Sequence, residues 1–274
     1  MARLATVAAF GFPDFNPVTL LEVYRQWGCV SCQYYRNVHN APRPSDARKL
    51  VEDLGLPFDS IHGVFGQEHD PSSPDEPTRR RAISTYRREG ELALELGGPM
   101  VVVHPAPLAP DPTSITPATR GSRREPMLRS MQELAAVGEL LGVTYLIENI
   151  PGNYLFGHDP FELAGMIRVI NHPRLRMCFD IGHAHMHASA HGALASCADV
   201  VEYLHVHDND TRADSHQIPG QGTVEWDAIA TSLRRAPVNI PAMLELFDLE
   251  PVIRAQLGTG LTQNLARWLS LSQV

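Results

Sequence analysis

Six short apolar runs end on a side chain that can ionise or bind a metal. Phe58-Asp-Ser-Ile-His62 and Met100-Val-Val-Val-His104 end on histidine, and Tyr145-Leu-Ile-Glu148 on glutamate. Met177-Cys-Phe-Asp180, Tyr203-Leu-His-Val-His207 and Met243-Leu-Glu245 follow with aspartate, histidine and glutamate. Residues two apart in a strand share a face. One step back from five of these ends stand Val103, Ile147, Phe179, Val206 and Leu244, all apolar and all on the opposite face. The polar ends must then point into one shared space. There Glu148, Asp180, His207 and Glu245 offer carboxylate oxygens and an imidazole nitrogen, a donor set suited to divalent Mn, Zn, Co or Mg. Crowded carboxylates without a cation would raise one another's pKa, so a shared metal centre is expected.

Other candidates cluster nearby. His183 lies three residues past Asp180, with Gly182 letting the chain turn back, and the spacing of Asp214-Ser-His216 puts both side chains on one side of an extended loop. His183 and His187 have i, i+4 spacing, but the His-Glu-x-x-His form of a metalloprotease is missing. His185, His187 and His191 are expected to face solvent or pack against helices. His205, one layer below His207 on the same face, reads as a supporting or core group rather than a ligand. His39, His158 and His172 belong to loops with no supporting pattern, and His69 follows the third strand and could overhang the site.

The elements that must position these groups are short strands alternating with helices. Apolar runs at 5–10, 29–34, 58–62, 100–104, 144–148, 176–180, 202–207 and 242–245 read as strands. Helical periodicity fills the gaps at 17–27, 45–54, 75–96, 123–141, 160–171, about 185–198, 226–235 and 250–269. Pro17, Pro160 and Pro251 stand near helix starts, with Ser45 and Asp159 as capping candidates. Eight alternations in 274 residues predict a single (β/α)8 TIM barrel over residues 1–274, with the polar ends at its C-terminal rim. The Gly-x-Gly-x-x-Gly loop of a doubly wound sheet is absent after the first strand.

Composition narrows the class. A hydrophobic content of 43% with 20% charged residues is that of a globular protein. No stretch reaches the ~18 uncharged apolar residues of a membrane span. The first ten residues are read as a strand of the mature protein, not a signal peptide, and the location as cytoplasmic. Cys29-Val-Ser-Cys32 has no second Cys-x-x-Cys to complete a zinc knuckle, so the four cysteines are expected to be small buried residues. A formal charge of -8 argues against a dedicated nucleic-acid binder. The arginine clusters at 79–81 with 87–88, and at 120 with 123–124, read as solvated helix faces.

Taken together, Ser60-Ile-His62-Gly, Val102-Val-His104-Pro105, Ile147-Glu148-Asn149, Phe179-Asp180-Ile-Gly-His183, His205-Val-His207-Asp-Asn-Asp210, Asp214-Ser-His216 through Gly220-Gln-Gly222-Thr-Val-Glu-Trp226, and Leu244-Glu245 form a recognisable set. From Phe58 to Glu245 the chain resembles the xylose isomerase-like TIM-barrel superfamily of sugar epimerases, hydroxypyruvate isomerase, inosose dehydratase and endonuclease IV. The resemblance implies one divalent metal on Glu148, Asp180, His207 and Glu245. The two glutamates would double as acid and base, with His183 and Arg212 gripping substrate oxygens. In endonuclease IV the equivalents of His62, His104, His183, Asp214 and His216 belong to a trinuclear zinc site, and every one of these residue types is present here. The acidic charge, the short loops and the brief spacing from His207 to Asp214 count against DNA repair.

The expected function is a metal-dependent isomerase or epimerase of a small sugar or related polyol ketone. A metal chelating a carbonyl oxygen and the neighbouring hydroxyl acidifies the intervening C-H and stabilises the enediolate. Isomerase, epimerase and dehydratase all need the same two carboxylates. The alternatives are an endonuclease IV-like multinuclear phosphodiesterase with up to three Zn, an inosose dehydratase-like lyase and, least favoured, a barrel that binds a metabolite without turnover. Substrate size would be read by loop aromatics such as Phe12, Tyr34, Phe65, Tyr154, Phe156 and Trp226. No membrane partner is expected, and assembly into a homo-oligomer is left open.

Overall fold

A computed structural model describes residues 2–235 and 240–270. Eight parallel strands close in sequence order into a barrel: β1 Arg3–Phe10, β2 Ser31–Arg36, β3 Phe58–His62, β4 Met100–Val103, β5 Thr144–Glu148, β6 Leu175–Asp180, β7 Val201–Val206 and β8 Pro241–Leu244. The predicted single (β/α)8 barrel is the observed fold, with strand ends within two residues of expectation. Among the described residues no helix is long and apolar enough to cross a membrane.

Around the barrel run α1 Pro17–Gln26, α2 Pro44–Asp53, α3 Glu76–Leu96, α4 Pro117–Gly121, α5 Arg124–Leu141 and α6 Pro160–Ile170. The ring continues with α7 Ile181–His187, α8 Ala190–Cys197, α9 Trp226–Arg235, α10 Glu250–Arg254 and α11 Leu261–Trp268. Local chemistry explains the boundaries. Proline opens α1 and α6 where no N–H is needed, and Asp159 caps α6 by accepting from the amides of Phe161 and Glu162. Ser45 does not cap α2, which begins at Pro44. Two predicted helices are each a pair. Ser189 caps a new helix after α7, and Gly258 and Gly260, both at positive φ, interrupt the last one between α10 and α11.

The larger apolar layer lies between strands and helices, where Val103, Ile147, Phe179, Val206 and Leu244 are all buried. A smaller plug of Ala5, Val7, Val102, Leu146, Cys178, Tyr203 and Met243 fills the barrel interior, the floor on which a site at the mouth rests. All four cysteines are buried and free. Two arginines depart from the solvated faces expected of them. Arg79 is 2% exposed and, held by Glu76 of its own helix, pins α3 to α5 through Glu133 and Ser130. Arg123 is buried too, donating to Asp70 and Ser72 and so anchoring the loop after β3. A charged run can face solvent as a whole while one guanidinium finds enough acceptors to be buried.

Candidate metal centre

At the C-terminal ends of β3 to β8 the described residues bring together three groups of metal-capable side chains. The first is His62, His104 and Glu148, the second Glu148, Asp180, His205 and Glu245, and the third His183, His207, Asp214 and His216. Within each, the potential ligand atoms lie within 4.8 Å of one another. Two carboxylates link the groups. Glu148 turns Oε2 toward His104 Nε2 (3.1 Å) and His62 Nε2 (3.7 Å), and Oε1 toward His205 Nδ1 (2.8 Å). Asp180 turns Oδ2 toward His205 Nδ1 (3.7 Å) and Oδ1 toward His207 Nε2 (3.1 Å).

The residues fit a metal on the evidence of their own hydrogen bonding. Among the described residues Glu148 Oε2, Asp180 Oδ2, Glu245 Oε2 and both nitrogens of His207 are buried without a hydrogen-bond partner. Nitrogen and oxygen face each other at about 3.1 Å in these pairs, close enough to share a common ion. Backbone carbonyls fix three imidazoles. His62 Nδ1 donates to Gly63 O, His183 Nδ1 to Asn149 O and His216 Nδ1 to Glu245 O, each at 2.9 Å. Each ring then presents Nε2 inward, the outer support by which proteins aim metal-binding histidines. Asn149 also donates to Asp180 O and accepts from Asp180 N, tying the ends of β5 and β6. Gly182 lets His207 approach, because a Cβ there would lie 2.1 Å from the imidazole Cε1.

The imidazoles set the charge state. Burial alone would raise the Glu148 carboxyl, but His205 and His104 outweigh it and hold it well below the usual range. Glu245 is buried and likewise held low, by His205 and His216. Burial would lower His183, yet Asp180 and Asp214 push it up to about 10. His216 is also buried, and Asp214 and Glu245 raise it to about 9. For His104 burial prevails and the pKa falls.

Every site residue expected from the sequence except Arg212 belongs to one of the three groups. Their distribution adds His205, which falls in one group with Glu148, Asp180 and Glu245, while His207, 3.1 Å from Asp180, falls in the third. The strand register is the reason, since β7 pairs on β6 with His205 directly opposite Asp180. His207, beyond the strand end, reaches His183, Asp214 and His216 instead. Arg212 stands apart. Its side chain is 87% exposed beside Asp210, in a turn where Thr211 has φ 70. His185, His187 and His191 lie outside the groups, against Thr223, His158 and Ser189. Of the loop aromatics, Phe12 and Phe65 flank the mouth and Tyr154 meets His104 edge-on at 5.8 Å. Tyr34, Phe156 and Trp226 are buried away from it, and Tyr35, which the sequence reading passed over, takes the inward position on β2 and meets His62 at 5.3 Å. Asp208 was also passed over. It accepts from the amides of Gly220 and Val224 and the indole of Trp226, docking the loop that carries Asp214 and His216.

The sequence pattern of the xylose isomerase-like TIM barrel matches residues 21–269. The chain belongs to the xylose isomerase-like TIM-barrel family. Within this family it is similar to the uncharacterised protein MJ1614 of Methanocaldococcus jannaschii, 24% identical over 64% of this chain and 65% of that protein, just under two thirds of its length. Solved family structures share the fold. A D-tagatose 3-epimerase-like protein superposes with TM-score 0.76 at 18% identity, covering 95% of this chain and 97% of the other. The 3-keto-D-glucoside 4-epimerase YcjR of E. coli gives 0.75 at 17%, covering 96% and 100%. An L-ribulose 3-epimerase gives 0.76 at 18%, covering 96% of each.

Proposed function

We propose that this barrel is a divalent-metal-dependent sugar isomerase or epimerase, acting on a small ketose or related polyol ketone. The observation that carries the reading is the placement of Glu148 and Glu245, two buried carboxylates 2.8 and 3.1 Å from the same His205 nitrogen, in one donor group at the barrel mouth. Asp180 and His205 complete the group. A divalent cation held there would act as a Lewis acid toward a substrate oxygen on which negative charge develops. The imidazoles keep both glutamates ionised at neutral pH, so each can accept a proton. One glutamate removes the proton from the carbon beside the carbonyl. The other, once it has taken up a proton from solvent, delivers one to the opposite face for epimerisation, while the first hands its own to the adjacent carbon for isomerisation. The resemblance of the fold to those of sugar epimerases supports this reading.

The test is solvent deuterium wash-in at the carbon next to the carbonyl, across ketopentoses and ketohexoses with metal-loaded protein. Incorporation into at least one sugar is expected. None across the panel would end the proposal.

The second reading is a multinuclear zinc phosphodiesterase, favoured by the first and third donor groups and by the carboxylates that link them to the second. Metal content discriminates. One tightly held ion per chain supports the sugar reading, and three zinc ions with cleavage of phosphodiesters support the hydrolase.

A further inference from the structure

Beside the first donor group a cleft of about 290 Å³ opens against His62, walled by Phe12, Tyr35 and Phe65 with Arg36 and His69 among its polar residues. Tyr35 stacks on Phe12 at 5.5 Å and 11°, and Phe65 covers His104 at 4.4 Å. The cleft therefore shares a wall with the donor groups. At ~30 Å³ per water-sized group it has room for about ten non-hydrogen atoms, the scale of a monosaccharide.

Its polar end has an unusual balance. The Arg36 side chain, 11% exposed, donates through Nη2 to Glu89 Oε1 at 2.7 Å, and Glu89 is itself 7% exposed. The pair is thus neutral as a unit. Arg36 lines the cleft, so the space meets a guanidinium whose charge Glu89 already matches from behind. A hydroxyl can both accept and donate. Aromatic walls suit the C–H faces of a carbon chain. A phosphate would find the one arginine of the cleft already neutralised, with a carboxylate behind it.

We propose that this cleft binds the distal, uncharged polyhydroxy end of the substrate and disfavours a terminal phosphate at that end, Arg36 and Glu89 being the residues that decide the preference. The proposal rests on the sugar reading for what binds at the donor groups. It goes beyond that reading in separating free sugars from their phosphate esters.

The test needs no turnover. Binding of a hexitol, and of the same hexitol carrying a terminal phosphate, is measured by calorimetry on Mn²⁺-loaded protein. The free hexitol is expected to bind at least tenfold tighter. Arg36→Met and Phe12→Ala should each weaken hexitol binding at least tenfold with metal content unchanged. Glu89→Gln frees the arginine charge and should move the preference at least tenfold toward the phosphate ester. Should Arg36→Met fail to fold because Glu89 is left alone in the interior, the double variant Arg36→Met/Glu89→Gln and the Phe12→Ala variant carry the test. No hexitol binding, equal or tighter binding of the phosphate ester by the unaltered protein, or hexitol binding indifferent to these substitutions would overturn the proposal. Hexitol binding that behaves as expected, in a protein that washes deuterium into no ketose, would leave the cleft assigned and remove the proton-transfer reading instead.

Discussion

Glu148 and Glu245 have two oxygens each, so one can bind a cation while the other meets the substrate carbon. Glutamine keeps the size and one neutral oxygen but cannot take a proton. Glu148→Gln and Glu245→Gln should each retain partial metal binding and lose about 10²- to 10⁴-fold in turnover, read as the rate of solvent deuterium incorporation. Retained exchange in both variants would assign the proton to another group. His205 and His207 offer a sharper contrast. His205→Ala should deplete the ion bound with Glu148, Asp180 and Glu245, and His207→Ala should leave that ion in place. Elemental analysis of both, at limiting and at excess metal, checks the division. Loss of the same ion from both variants would contradict the register-based assignment.

At the scale of elements, the third group depends on how the loop after β7 is held. Asp208 ties it down through Gly220 N at 2.8 Å, Val224 N at 3.0 Å and Trp226 Nε1 at 2.8 Å. Hydrogen bonds to a charged acceptor contribute more than neutral ones, and an asparagine amide would turn an N–H toward one set of these donors. Asp208→Asn should cost about 2–3 kcal/mol in denaturant unfolding and weaken metal retention by Asp214 and His216. Unchanged stability would mean that the loop is docked by other contacts. Gly182→Ala tests the turn from β6 into α7. Its Cβ would meet His207 at 2.1 Å, so the ring must move. Loss of metal with a circular dichroism spectrum close to wild type is the expected result.

For the molecule as a whole, the donor groups couple metal, pH and stability. His183 and His216 have pKa values raised to about 10 and about 9, above the ~6.5 of an unfolded imidazole. Their protonated pairing with Asp214 therefore stabilises the metal-free fold fully below pH ~6.5, and that contribution is lost as pH rises through 9 and then 10. Asp214 and Glu245 are held low, so their contribution is present above pH ~4.5 and lost as pH falls into the acid range. The melting temperature of metal-stripped protein should then fall between pH 7 and 10. A bound cation needs the Nε2 atoms unprotonated, so the gain in melting temperature on adding metal should widen over the same interval. At a hundredfold excess over Kd the metal should add about 2.7 kcal/mol. A metal-free protein whose melting point is flat from pH 7 to 10 would show that these imidazoles are not the charged partners the geometry makes them.

The sequence by itself determined the barrel and the candidate side chains gathered at its rim. From β3 to β8 a polar residue stands at or just past the strand end, and the apolar residue one step before it is buried against the helices, a two-residue period that survives without any knowledge of the partners. Proline and Asp159 likewise fixed helix starts through groups adjacent in the chain. Tertiary structure decided what depends on register and on distant acceptors. His205 and His207 share a face and a residue type, so only the pairing of β7 on β6 could say which sits opposite Asp180. Tyr34 and Tyr35 differ by one position, and the run of β2 to Arg36 turned the second inward while the first packs among Phe10 and Phe58. Arg79 and Arg123 read as surface charges until helices and loops from elsewhere in the chain supplied their acceptors. Arg212 reads as a substrate grip by position in a motif, yet the turn at Thr211 leaves it in solvent. Periodicity is a local property of the chain and is legible in it. Which of two equivalent side chains meets a partner dozens of residues away is set when the barrel closes.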